Sequence, residues 1–263
     1  LVINSEDLPV GKIVQLSYAA VAYALFLGAF LYAIGFVGDF LVPKTIDSGR
    51  HDPWMTALAI DAALLGLFAV QHSVMARPAF KRWWTRIVPV GIERSTYVAA
   101  SSLCLVLLFW QWRPLGATAW ALDGLAAQLV SGVFFLGWLV VLASTFMLSH
   151  FELFGLTQAY AAFRDRAVET PPFHTPMLYG LVRHPIMLGF LIAFWAAPVM
   201  TVGHLAFATA TTLYILIALQ LEESDLVASF GAKYLDYRRR VPMLVPFTRW
   251  RAPTTPKQAV TGQ

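Results

Sequence analysis

Five stretches of the chain, at about 16–38, 54–75, 96–112, 125–148 and 186–221, stay apolar for the length of a bilayer crossing, and Asp61 is their one Asp, Glu, Lys or Arg. A helix needs about 20 apolar residues to cross the hydrocarbon core, and irregular chain cannot satisfy its backbone there. The last stretch is long enough for a hairpin of two short helices, Ile186 to Val202 and Leu205 to Leu221, turning at Gly203 and His204. The sequence therefore predicts an all-α, polytopic integral membrane bundle of six helices, or five with the hairpin only partly inserted. A composition of 58% hydrophobic and 13% charged residues is far from the roughly 25% charged residues of a soluble domain. The first apolar stretch has neither a short basic start nor a small-residue cleavage site, so it is expected to persist as a helix after a polar surface segment, residues 1–15.

Six crossings gather most of the 19 Lys and Arg on one face and leave Lys44, Arg50 and Arg113 on the other. The positive-inside rule then puts both termini and the basic face in the cytoplasm. The basic residues are accounted for by topology and by lipid headgroups, so no nucleic-acid partner is expected. Cys104 lies alone in an apolar stretch, and His51 with Asp52 is too small a set to imply a metal. Asp61, inside the second helix, is expected to bond a neighbouring helix.

The same face collects the polar residues. Tyr179, Arg183 and His184 precede a helix whose first residue is Pro185, where the missing N–H costs nothing. Two helices of equal length return to one level, which brings Glu222 and Glu223 to His184. His72 closes the second helix, and Arg77 and Arg94 lie in the basic, aromatic segment ARPAFKRWWTRIVPVGIERSTY, which reads as an interfacial stretch with Ser95 capping the third helix. His150, with Glu152 beside it, ends the fourth helix. Beyond Glu223, the residues Leu226, Val227, Phe230, Tyr234 and Leu235 recur at helical spacing, interrupted at Gly231, and present Tyr234, Tyr237 and Arg238 to a polar ligand. The chain thus divides into a four-helix part, 1–178, a hairpin and tail, 179–246, and a disordered end, 247–263.

RHP before a short hairpin, then EE, FG, two tyrosines three apart and a late VP, resembles the isoprenylcysteine carboxyl methyltransferase superfamily of membrane enzymes. RHPIMLGF, QHSVMARP, ERSTY, FWQWRPL and HFELFGL together resemble its bacterial methanethiol S-methyltransferase branch over nearly the whole chain, and a denitrification-linked membrane family shares parts of the N-terminal pattern. Met177 and Met187 depart from the parent pattern, which has Gly and Tyr there. The resemblance implies S-adenosylmethionine as donor, S-adenosylhomocysteine as product and a small thiol as acceptor. It assigns the donor to Tyr179, Arg183, His184, Pro185, Gly189, Glu222, Glu223, Tyr234, Tyr237 and Arg238. Arg183, Tyr179 and the helix start suit the donor's carboxylate, and the two glutamates suit its ammonium and ribose. His150, oriented by Glu152, or His72 is the candidate base, and Arg77 or Arg94 the candidate field for a thiolate. Met187, Phe190 and Trp195 imply a small apolar acceptor pocket. The competing expectations are a prenyl-cysteine carboxyl methyltransferase, a sterol-reductase-like NADPH enzyme, and a non-enzymatic accessory protein holding haem through His72 and His150.

Overall fold

The computed structural model describes residues 9–167 and 173–248. Its elements are α1 (Pro9–Gly38), α2 (Trp54–Ala76), α3 (Pro78–Trp84), α4 (Val90–Gln111), β1 (Thr118–Ala121), α5 (Gly124–Met147), α6 (His150–Leu153), α7 (Leu156–Phe163), α8 (Leu178–Leu181), α9 (Pro185–Trp195), β2 (Val199–Thr201), α10 (Val202–Phe230) and α11 (Ala232–Arg240). Five of these, α1, α2, α4, α5 and α10, are long and apolar enough to cross a membrane. Their outward sides carry exposed Leu31, Val70, Leu103, Leu139 and Ile217, an apolar belt that suits lipid rather than water.

Two starts differ from the sequence reading. α1 begins at Pro9, within the segment expected to be polar surface. α4 begins at Val90, so Ser95 does not cap it but is buried inside it, its hydroxyl donating to the Gly155 carbonyl. In both cases the helix runs past the apolar stretch, because its backbone bonds cost nothing extra where polar side chains reach water or headgroups.

The hairpin follows the five-crossing alternative and not the six-helix reading, because its first arm is not a full crossing. α9 ends at Trp195, since Pro198 can neither donate a helical bond nor avoid the carbonyl four residues back. Val199 to Thr201 then run extended and pair antiparallel with β1, Ala121 opposite Val199 and Thr118 opposite Thr201. Gly203 and His204 lie not in a turn but in the first turn of α10, where the Thr201 hydroxyl accepts the His204 N–H at 3.1 Å. The two arms still match in length. α9 supplies about 16 Å and the extended stretch about 20 Å, against about 31 Å of α10 up to Glu222. α10 itself continues two turns beyond the glutamates and stops at Gly231, at φ +55°, as the break in the tail pattern predicts.

α5 and α9 pack backbone to backbone. A Cβ on Gly137 would lie 2.6 Å from the Ala193 nitrogen, and one on Gly189 would lie 2.7 Å from the Gly137 carbonyl oxygen. Toward the ribbon end, Phe36, Phe109, Trp112, Phe134, Trp138 and Phe207 form the main core. Asp61 has the structural role expected of it, with Oδ1 accepting the Arg113 N–H at 2.8 Å. The expected disorder from 247 on falls, apart from Phe247 and Thr248, outside the described residues, as does the first half of the proline-rich approach ETPPFHTP, residues 169–172.

Candidate active site

The site lies where the start of α9, the far part of α10 and the returning tail meet. Val182 to His184 link α8 to α9, and the Arg183 and His184 N–H groups donate to the carbonyls of Pro242 and Met243 at 2.9 and 3.2 Å. The tail is thereby laid across the helix start. Arg183, whose side chain is 1% exposed, donates from Nε to Glu223 Oε1 at 2.6 Å, with Nη2 2.5 Å from the same oxygen. Its Nη1 donates to the carbonyls of Val241 at 2.5 Å and Arg238 at 3.3 Å. His184 Nε2 is 3.2 Å from Glu223 Oε1, and its Nδ1 is 3.8 Å from Glu222 Oε2. Glu223 is almost wholly buried, whereas the Glu222 side chain is 48% exposed. The convergence expected from the sequence is present. Its internal order was not foreseen, because Arg183 is used up by Glu223 and the tail and has little left for a ligand carboxylate.

Tyrosines from the tail close this corner. The Tyr237 hydroxyl donates to the Tyr179 carbonyl at 2.6 Å, and burial pushes its pKa up to about 12. The Tyr179 hydroxyl donates to the Ser144 carbonyl on α5 at 3.4 Å, and burial with the nearby Glu222 raises its pKa also. Tyr234 packs with Tyr237 and Phe173, yet its buried hydroxyl has no hydrogen-bond partner among the described residues. Among the described residues Glu223 Oε2 likewise accepts no hydrogen bond, with the Arg238 Nε 3.3 Å away in ion-pair range. Buried polar atoms left open in this way are where a polar ligand adds most.

The other expected residues separate into different tasks. Pro185 is the first residue of α9, as read, and Gly189 faces Gly137 and Val141 of α5, which makes it a packing glycine. Phe190 joins the core against Trp138, and Trp195, at the opposite end of α9 from the site, donates to the Thr212 hydroxyl at 2.9 Å. Neither lines an acceptor pocket at this level. Arg77 ties α2 to α10 through Asp225 at 2.9 Å, and Arg94 donates to the Leu153 carbonyl at 2.9 Å while lying over the Tyr97 ring. His150 is held by the Tyr23 hydroxyl at Nε2 and the Thr145 hydroxyl at Nδ1, both 2.9 Å, and stacks on Phe146 at 4.3 Å. Burial lowers its pKa, and Glu152 does not orient it. His72 meets the hydroxyls of Tyr97 and Ser101.

Two cavities lie away from this corner. A cavity of about 330 Å³ lies at the ribbon end among Asp47, Phe134 and His204, and another of about 290 Å³ lies beside Lys81, Arg94 and Glu152. The ordered charges and open polar atoms mark the site. Tyr97, Tyr214 and Asp225 were missed as members of this face. Tyr97 closes the ERSTY motif, and the signal for Tyr214 and Asp225 was helical spacing, since eleven residues apart they fall within about 20° of each other around α10.

A methanethiol S-methyltransferase of Bradyrhizobium diazoefficiens, the one numbered 2, is 59% identical over 235 residues, covering 89% of this chain and 91% of the relative. A methanethiol S-methyltransferase of Mycobacterium tuberculosis is 55% identical over 231 residues, covering 88% and 95%. Nurim of Mus musculus is 31% identical over 185 residues, covering 65% and 69%. No family model matches the chain. No solved structure matches it either.

Proposed function

This chain belongs to the methanethiol S-methyltransferase family and is a membrane-embedded thiol S-methyltransferase, and we propose that it moves the methyl group of S-adenosylmethionine to methanethiol, giving dimethyl sulfide and S-adenosylhomocysteine. The observation that carries the reading is the pair of open, buried polar atoms, Glu223 Oε2 and the Tyr234 hydroxyl, beside half-exposed Glu222. Acceptors of that kind fit a ligand that brings an ammonium group and ribose hydroxyls. When bound, S-adenosylmethionine supplies a methyl group on a sulfonium, so the protein has to align, dehydrate and stabilise charge.

The residues divide that work. Glu222 and Glu223 accept from the ammonium and ribose, with the Tyr234 hydroxyl as a further partner. The N–H groups at the start of α9, with Arg238 close by, complement a carboxylate. Rings of Tyr179, Tyr234, Tyr237 and Phe173 offer faces to a sulfonium. Arg183 and His184 act through Glu223, fixing where its carboxylate points. Residues 179–246 serve as the donor-binding part and 1–178 as scaffold and acceptor side. The site face carries most of the basic residues, which supports a cytoplasmic orientation in a bacterial inner membrane. The relatives' names favour neither the reductase, the haem-binding nor the carboxyl-methylating alternative.

The test is a titration of the purified full chain with S-adenosylmethionine, run beside NADPH. S-Adenosylmethionine should saturate a single site, and Tyr234→Phe should weaken it about 3- to 10-fold, the usual cost of one neutral hydrogen bond. Binding of NADPH in its place, or affinity untouched by both Tyr234→Phe and Glu222→Gln, contradicts the assignment.

A further inference from the structure

Three spanning helices bring rings and hydroxyls together beside the donor corner. His72 on α2 stacks on Phe68 with ring centroids 5.1 Å apart. The Tyr97 hydroxyl on α4 lies 2.8 Å from His72 Nε2 and 3.0 Å from Nδ1, and the Ser101 hydroxyl lies 3.2 Å from Nδ1. The phenol can donate to whichever nitrogen is unprotonated. Alongside, the hydroxyls of Ser73 and Tyr214 are 3.1 Å apart, and the Tyr214 ring meets Phe68 edge-on.

Helix phase joins this group to the donor corner. Around α10, Glu222 is rotated about 80° from Tyr214 and about 100° from Glu223. Tyr214 and Asp225 face α2, through Ser73 and Arg77, and Glu223 faces Arg183 and His184. Half-exposed Glu222 therefore points into the gap between the two groups. It is near enough to act electrostatically on both Tyr97 and Tyr179. The charged and titratable groups around the Tyr97 phenol are Arg94 on its own helix, Arg77 at the end of α2, and Tyr214 and Glu222 on α10. Arg77 is paired with Asp225 at 2.9 Å, which leaves Arg94 and Glu222 as the two opposite charges near the phenol.

Resting on the thiol-methyltransferase reading above, we propose that Tyr97 and His72 are the acceptor end of the site, with the Tyr97 hydroxyl meeting a small uncharged thiol and relaying its proton to His72. Tyr97 is the catalytic residue and His72 the proton acceptor behind it. The S–H proton passes to the phenol oxygen as the phenol proton passes to imidazole. The sulfur lone pair forms the new S–CH₃ bond as the sulfonium–methyl bond breaks, and that electron pair stays on the donor sulfur as a neutral thioether. His72 then returns the proton to solvent. The apolar rings of Phe68 and Tyr214 suit an alkanethiol or hydrogen sulfide, and they disfavour a thiol carrying carboxylates.

The test uses the full chain in lipid nanodiscs with S-adenosylmethionine and two acceptors, methanethiol and the more acidic trifluoroethanethiol. Tyr97→Phe and His72→Asn should each lower methanethiol turnover at neutral pH by about 10²-fold or more. The loss should shrink as pH rises and be small with trifluoroethanethiol, while donor affinity stays at the wild-type value. With S-adenosylhomocysteine bound, the ultraviolet absorption of bound methanethiolate should appear at higher pH in both variants than in wild type. Near-wild-type turnover in Tyr97→Phe, or an equal loss at every pH and with both thiols, overturns the proposal. If His72→Asn does not fold, Tyr97→Phe, which removes a single oxygen atom, decides the matter alone. A wild-type chain that binds the donor yet methylates neither thiol overturns the reading of the function itself, and the acceptor pair with it.

Discussion

Arg183 directs its hydrogen bonds at the protein, and this changes what its loss should do. With Glu223 it forms a buried ion pair in which both side chains are nearly inaccessible and the guanidinium also holds two tail carbonyls. Removing one member of such a pair leaves a buried charge without compensation, at about 3–5 kcal/mol. Arg183→Ala should therefore lower thermal stability as well as donor affinity. Arg183→Met combined with Glu223→Leu should regain part of the stability, because a well-packed apolar pair avoids the desolvation cost, but none of the donor binding. Differential scanning fluorimetry with a parallel S-adenosylmethionine titration separates the two effects. A single variant as stable as wild type would show that the pair does not hold the tail.

At the scale of elements, Gly189 separates packing from binding. Its backbone lies against Gly137 and Val141, so a methyl group there must push α5 and α9 apart. Gly189→Ala should cost about 1–3 kcal/mol, whereas Gly132→Ala, with open space at its Cβ, should be close to neutral. Equal melting temperatures for the two variants would remove the packing assignment. The elements were legible in the sequence where a single physical rule governs them. Long apolar runs marked the five spanning helices, Pro185 the start of α9, and Gly231 the end of α10. The ribbon was not legible, because Val199 to Thr201 pair with residues some eighty positions earlier, and hydropathy reads an apolar strand and an apolar helix alike. Pro198 was the available signal. The site was legible as a set of residues at one level, since two arms of equal length return there. Its partners were not, because counting residues gives depth and not direction around a helix. That is why Tyr97 and Tyr214 were missed and why His150 was expected to pair with Glu152 when it is held by Tyr23 and Thr145.

For the whole molecule, a methyl acceptor that partitions into lipid and a donor that does not must meet at the membrane face. On the proposed reading the bundle meets that requirement by division of labour. α9, α10 and the tail form a charged corner open to water through Glu222, and α2, α4 and α10 form a corner of rings and hydroxyls among the spanning helices. The most direct measurement is mass spectrometry of the headspace above purified chain supplied with methanethiol and S-adenosylmethionine labelled by deuterium on its sulfonium methyl group. Dimethyl sulfide should appear carrying one labelled methyl group, in step with S-adenosylhomocysteine. Donor bound and consumed with no labelled dimethyl sulfide, or label found instead on a prenyl-cysteine carboxylate at a comparable rate, would contradict the account.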